Sequence, residues 1–271
     1  MPTLAHVLWI GGPPGSGKTA VATRLARRHG LRWYSSDTRT WEHRDRALRA
    51  GSLAARRWEA MTPEERWALP PPEMLELSLH RERGRMVVAD LEALPRAPVV
   101  VAEGSALPAS AVSSGVADRA RVVWLLPRRG VQRARLVERR TAPGPLALYL
   151  LLGETLEREA REHDVPVLTD DGSLAVDALV AAVEDRFAAA LAAGPHAQTV
   201  AERRALLREA NDAVAAQVRG YYARPWAEGD ADRVVREFLC ECGDPACAET
   251  VLLPAGALSA TTALARGHEP A

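Results

Sequence analysis

Lysine is almost absent from this chain of 271 residues: of 35 basic side chains, Lys18 alone is not arginine. A bias that strong reads as GC-rich coding that replaces lysine wherever the chemistry permits. Lys18 then marks a place where a compact, flexible point charge is needed and a planar guanidinium will not serve. Net charge is lacking too. The 35 acidic residues balance the 35 basic ones, so no global field exists to hold a polyanion, and nucleic acid is not indicated as a partner. No apolar run reaches the roughly 20 residues needed to cross a bilayer. The opening residues Met1 to Ile10 carry no basic segment ahead of their apolar run, so they read as the approach to a core strand rather than a signal peptide, and the expected location is cytoplasmic. Cysteine is scarce as well, with three residues crowded between positions 240 and 247, which is no disulfide framework for a chain of this size. What is present, 47% hydrophobic and 26% charged residues, suffices for one substantial core and a small second unit.

The lone lysine sits in Gly12-Pro13-Pro14-Gly15-Ser16-Gly17-Lys18-Thr19, which fits the phosphate-loop pattern G-x-x-x-x-G-K-[ST]. Glycines let the loop curl so that successive backbone N–H groups face one anion, and the following helix directs its positive end to the same point. Lys18 is placed to reach the β- and γ-phosphates of ATP, and Thr19 supplies a hydroxyl for Mg2+. Val7-Leu8-Trp9-Ile10 reads as the buried strand before the loop. Val21, Ala22, Leu25 and Ala26 form the apolar stripe of a helix over 17–29, ended by Gly30. The alternative is a Gly/Pro-rich turn before an ordinary helix.

Four more strands are expected at Leu31–Ser36, Val99–Glu103, Val122–Leu126 and Val165–Thr169, alternating with helices as in a doubly wound parallel sheet. Thr62-Pro63-Glu64-Glu65 carries a capping-box pattern, and a long helix is expected from Glu73 to about Leu94. Met86–Asp90 resembles a strand ending in a metal-binding acid. Only eight residues separate it from Val99, too few for a parallel crossover, so Asp90 is placed on the helix. The Ala-rich stretch around Gly194-Pro195 suggests a boundary between a nucleotide-binding domain over 1–193 and a C-terminal unit over 199–271. Thr199-Val-Ala-Glu202 opens the latter's helix, with Leu206, Ala210, Val214 and Tyr221 on one face.

In an open parallel sheet, ligands sit beyond the carboxyl ends of the strands. Asp37 and Glu103 each lie there. Asp37 either addresses an acceptor hydroxyl or caps the following helix. Glu103 either organises magnesium-bound water or makes backbone hydrogen bonds at a strand edge. Six arginines fall within 128–140. Of these, Arg128, Arg135 and Arg139 share a helical face, as a lid over the transferring phosphoryl group requires; in so arginine-rich a chain a solvated face is the alternative. From about Ala5 to Ala192 the chain resembles the P-loop small-molecule kinases related to adenylate and shikimate kinases. The matching features are the loop at 12–19, the acid after the second strand, Val-Val-Ala-Glu-Gly after the third, and the arginine-rich segment after the fourth. That resemblance implies an α/β fold with a five-stranded parallel sheet in the order 2-3-1-4-5, and transfer of the γ-phosphoryl of ATP to a small-molecule hydroxyl. It implies catalytic roles for Lys18, Asp37, Arg135 and Arg139. The segment from Trp41 to Leu94, where the acceptor is expected, carries no substrate signature.

Cys240-Glu-Cys242-Gly-Asp-Pro-Ala-Cys247 offers three ligands to Zn2+, with His268 as the leading fourth. Three reduced thiols in a turn are the alternative. The segment is similar to a small module of high-GC bacterial proteins with a Cys-Glu-Cys core and a later Gly-His, which implies an appended element that meets a protein partner or regulates. The function expected is an ATP-dependent small-molecule kinase. The rivals are a nucleotide-dependent switch or ATPase acting on the C-terminal unit, and a kinase relative that binds nucleotide without catalysis.

Overall fold

Val7-Leu8-Trp9-Ile10 is apolar on both alternating faces, and both are covered in the computed structural model, which describes residues 3–259 and 261–269. Val7 and Trp9 enter one core with Tyr34, Val100, Ala102, Trp124 and Leu156. Leu8 and Ile10 enter the opposite core with Leu25, Val101, Val123, Val183 and Phe187. A strand buried on both faces belongs at the centre of a parallel sheet.

The first half of the chain runs β1 (Val7–Gly11), α1 (Lys18–His29), β2 (Arg32–Ser35), α2 (Thr40–Arg49), α3 (Leu53–Ala60), α4 (Pro63–Trp67), α5 (Pro71–Leu77), α6 (His80–Ala93), β3 (Val100–Gly104) and α7 (Ser110–Ser113). It continues through β4 (Val122–Pro127), α8 (Arg129–Glu138), α9 (Pro143–Glu162), β5 (Val167–Asp170), α10 (Val176–Ala193), α11 (Val200–Tyr222), β6 (Val235–Leu239) and β7 (Thr250–Pro254). Strands β1 to β5 form one parallel sheet in the order β2-β3-β1-β4-β5. The fold is the α/β, doubly wound one expected. Its strand order reverses beside β1, which places the loop after β1 at the crevice.

Two expectations need correction. The helix expected over 73–94 is two helices, because Leu79 adopts a left-handed conformation with φ 61°. Leu79 is fully buried, and the Leu77 carbonyl freed at the break accepts a hydrogen bond from Arg44 Nη2 at 2.9 Å. Burial of Leu79 and a guanidinium partner together hold a kink that local sequence does not announce. The capping box at Thr62 does form, but the helix it opens stops at Trp67. Secondly, the buried surface of α11 is wider than the expected Leu206, Ala210, Val214, Tyr221 stripe, of which Ala210 is buried and Val214 packs against the core. Its buried residues are Leu207, Ala210, Asn211, Ala215 and Val218. The helix is covered on two sides: Ala210 joins the sheet core, while Ala215 and Val218 meet Phe238 and Leu258. The covering partner on the second side is the antiparallel β6–β7 hairpin, an element the periodicity did not suggest.

Asp90 lies on α6, where Tyr34 Oη donates to it at 2.8 Å, and His43 and Arg46 reach it at 2.9 and 2.6 Å. It ties α2 to α6. The stretch around Gly194 is crossed by Val99 N–H donating to Pro195 O and Ala197 N–H donating to Gly30 O.

Candidate functional site

The loop after β1 is shaped by backbone geometry that side chains resist. Gly12 has φ 147°, and a Cβ there would collide with the Leu125 carbonyl. Gly17 caps α1 at φ 83° with no capping bond from its own side chain, so the first-turn amides after that of Lys18, which Ser16 Oγ engages, keep their donors for a ligand. Outside, the loop is braced by α8. Gln132 Nε2 donates to Pro14 O at 3.2 Å, and Arg135 Nη1 donates to Gly15 O at 3.3 Å. Ser16 is buried within the turn, its Oγ accepting from Lys18 N–H at 3.4 Å.

Lys18 is 5% exposed and its Nζ lies 3.2 Å from Asp37 Oδ2. Burial alone would lower the ammonium pKa, but Asp37 and Glu103 more than offset it and the pKa is raised. Burial would conversely raise Asp37; Lys18 and Arg83 outweigh it and hold the carboxyl at about 2. The other oxygen, Asp37 Oδ1, accepts from Ser105 Oγ at 3.0 Å and from Ser105 N–H at 3.3 Å. Helix α2 begins at Thr40 with no side-chain cap, so the carboxylate of Asp37 is turned toward the loop and not to capping. Glu103, at the end of β3, is 1% exposed. Burial lifts its pKa to about 7, and Thr19 Oγ1 donates to its Oε2 at 3.2 Å. A hydroxyl beside a buried carboxylate is a fitting donor pair for a divalent cation.

Of the arginines expected to form a lid, Arg135 pairs with buried Asp170 at 2.7 Å besides bracing the loop. Arg139, at the C-terminal cap of α8, lines the cavity beside Lys18. Arg128 precedes α8, and Arg129 pairs with Glu154 on α9. Asp170 was missed, although its position closing β5 was open to the same strand-end reasoning that singled out Glu103.

Alongside the loop lies a cavity of about 640 Å³ that holds Lys18, Thr19 and Asp37 on one side. Its far wall comes from α2, α3, α4 and α11, with Trp41, Trp58, Trp67, Tyr221 and Trp226. Arg66 stacks between Trp58 and Trp226, with its guanidinium carbon 5.1 and 3.8 Å from the two rings. Arg44 lies 4.6 Å over Trp58. Burial without a facing carboxylate pulls the Arg44 pKa down to about 9, with Glu59 the chief opposing influence. No short motif marks this wall, because its residues come from five separate segments.

At the opposite end of α1, Cys240, Cys242, Cys247 and His268 bring their ligand atoms within 4.8 Å of one another, a cluster able to hold a metal ion. His268 Nδ1 is 3.3 Å from Cys240 Sγ and 3.7 Å from Cys247 Sγ. Arg27 of α1 clasps the cluster, donating to Cys240 O, to Cys242 Sγ and to Asp244 O.

Comparison with known proteins finds no matching family model and no matching curated protein. Among solved structures, a shikimate kinase from Acinetobacter baumannii in complex with shikimate matches at 17% identity. The match covers 69% of this chain and 93% of that one, with a TM-score of 0.41. The functional reading therefore stands on the geometry above.

Proposed function

We propose that this protein is a kinase that transfers the γ-phosphoryl of Mg2+·ATP to the hydroxyl of a small molecule. The observation that carries the reading is the convergence on one crevice of Lys18, Asp37, Thr19 and Glu103, from three strand ends, beside a cavity of substrate size. The free amides of α1 and Lys18 hold the β- and γ-phosphates. Thr19 and Glu103 hold Mg2+, whose charge offsets the burial that otherwise disfavours the Glu103 carboxylate. Without nucleotide, Lys18 and Asp37 neutralise each other. When phosphate draws Lys18 away, Asp37 is released to orient the acceptor hydroxyl and take its proton. The acceptor oxygen then bonds to the γ-phosphorus as the bond to the β,γ-bridging oxygen breaks. Arg139 faces the developing charge, and Arg135 fixes α8 on the loop.

A separate proposal concerns the C-terminal cluster: Cys240, Cys242, Cys247 and His268 hold one Zn2+ as a closed structural site. Three thiols and an imidazole are a donor set suited to zinc, and all four ligand atoms already converge.

Calorimetric titration of Mg2+·ATP tests the first reading. Wild-type protein is expected to bind one nucleotide per chain, and Lys18→Ala to lose at least about tenfold in affinity, as removal of a charge-assisted hydrogen bond predicts. Equal affinity in the two proteins contradicts it.

A further inference from the structure

The cavity beside Asp37 holds polar atoms that the protein leaves without partners. Arg44 is 3% exposed and lines the cavity, yet only its Nη2 is engaged, on Leu77 O. Its Nε and Nη1 have no partner. Trp58 Nε1, from the ring beneath that guanidinium, is also buried and unpartnered, as is the carbonyl oxygen Oε1 of Gln217 on α11. All three residues line this one cavity. A buried polar group without a partner is costly, most of all a charged one, so three such residues in the wall of one cavity point to a ligand that completes them.

The charge balance says which kind. Lys18, Arg44, Arg66, Arg83 and Arg139 line the cavity, while Asp37 is the only acid among its lining residues. Asp37 is already matched to Lys18. Arg66 is committed to the carbonyls of Trp58 and Met61, and Arg83 to that of Ser36. Glu59, the nearest acid behind the wall, is taken by Trp226 Nε1 at 2.9 Å and Arg224 at 3.5 Å. With Arg139 given by the kinase reading to the transferring phosphoryl group, the uncommitted guanidinium edge on the acceptor side is that of Arg44.

We infer that the acceptor is a flat, hydroxylated molecule bearing an oxyanion, a carboxylate or a phosphate ester, which Arg44 and the Trp58 indole N–H clamp. The planar body lies against the cavity side of the Trp41, Tyr221 and Trp226 cluster, whose rings pack edge-to-face on one another, and a donor group on the ligand meets Gln217 Oε1. Asp37 meets the hydroxyl. Gln217 and Tyr221 belong to α11, and Trp226 follows it, so the C-terminal unit completes the substrate site. This inference rests on the kinase reading, since it takes Asp37 as the hydroxyl's partner.

The test uses the full chain saturated with Mg2+ and the non-hydrolysable analogue AMP-PNP, so that the phosphate loop is occupied. Two matched pairs are titrated calorimetrically: 4-hydroxybenzoate against 4-hydroxybenzyl alcohol, and 4-hydroxyphenyl phosphate against hydroquinone. In at least one pair the anion is expected to bind about tenfold or more tightly than its neutral partner, the size of one charge-assisted contact. The pair that shows the difference identifies carboxylate or phosphate as the group read. Arg44→Gln should erase the difference. Trp58→Phe, which keeps the ring under Arg44 and removes only the N–H, should weaken the anion several-fold and leave the neutral compound unchanged; it decides the matter if Arg44→Gln fails to fold. AMP-PNP binding with no preference for either anion, or with a preference unaffected by Trp58→Phe, overturns the inference while the kinase reading stands. Failure of AMP-PNP itself to bind removes both.

Discussion

Asp37 and Lys18 form the most informative pair of residues, since each holds the other's charge in place until a substrate intervenes. Asp37→Asn is expected to lower kcat by at least about a hundredfold, the usual size of a lost general-base contribution, with Mg2+·ATP affinity changed little. Steady-state kinetics beside equilibrium binding separate the two effects. The same pair makes a pH prediction. The folded pKa of Asp37, about 2, lies below its ordinary value of 3.8, so its stabilisation is fully present above pH 4 and is lost as pH falls toward 2. Because the Asp37 side chain is 41% exposed, screening leaves on the order of 1 kcal/mol. Acid unfolding monitored by circular dichroism should therefore be less steep between pH 4 and 2 in Asp37→Asn, and an unchanged profile contradicts the pairing.

At the scale of elements, the helix α8 acts as a brace as well as a cover, because Gln132 and Arg135 bond the backbone of the phosphate loop directly. Arg135→Ala should weaken nucleotide binding through a loosened loop, while Arg139→Ala should lower kcat with nucleotide affinity largely kept. Identical kinetic signatures for the two variants contradict that division. All five sheet strands were legible from short apolar runs, and the glycine spacing and lone lysine disclosed the phosphate loop. The break at Leu79 was not legible, because what holds it is a tertiary bond from Arg44 to the Leu77 carbonyl. The β6–β7 hairpin was hidden for a related reason. Its strands alternate weakly, with Val235 and Leu252 exposed, and it is held by packing on α11 and by the cysteine turn. Arg44, Trp58 and Gln217 could not be grouped from sequence, since only folding brings α2, α3 and α11 to one wall.

Across the whole molecule, Arg27 ties the cysteine cluster to α1, and α11 runs from the β6 strand beside that cluster, through Asn211, to the cavity wall, through Gln217 and Tyr221. If zinc holds the cluster, its binding free energy is in part folding free energy for the C-terminal unit. Protein purified without chelator should contain about one zinc per chain by elemental analysis, and Cys242→Ser should contain none and show earlier loss of the near-ultraviolet signal on heating. Freely titratable thiols and no metal in the native protein contradict the zinc assignment but leave the phosphate loop untouched. Phosphoryl transfer to a small molecule is tested by incubating the protein with γ-labelled ATP, Mg2+ and a small-molecule extract. Wild-type protein is expected to place label in a new anionic small-molecule product, and Lys18→Ala and Asp37→Asn to place none. Label recovered only as inorganic phosphate, at a rate the extract does not change, would contradict it.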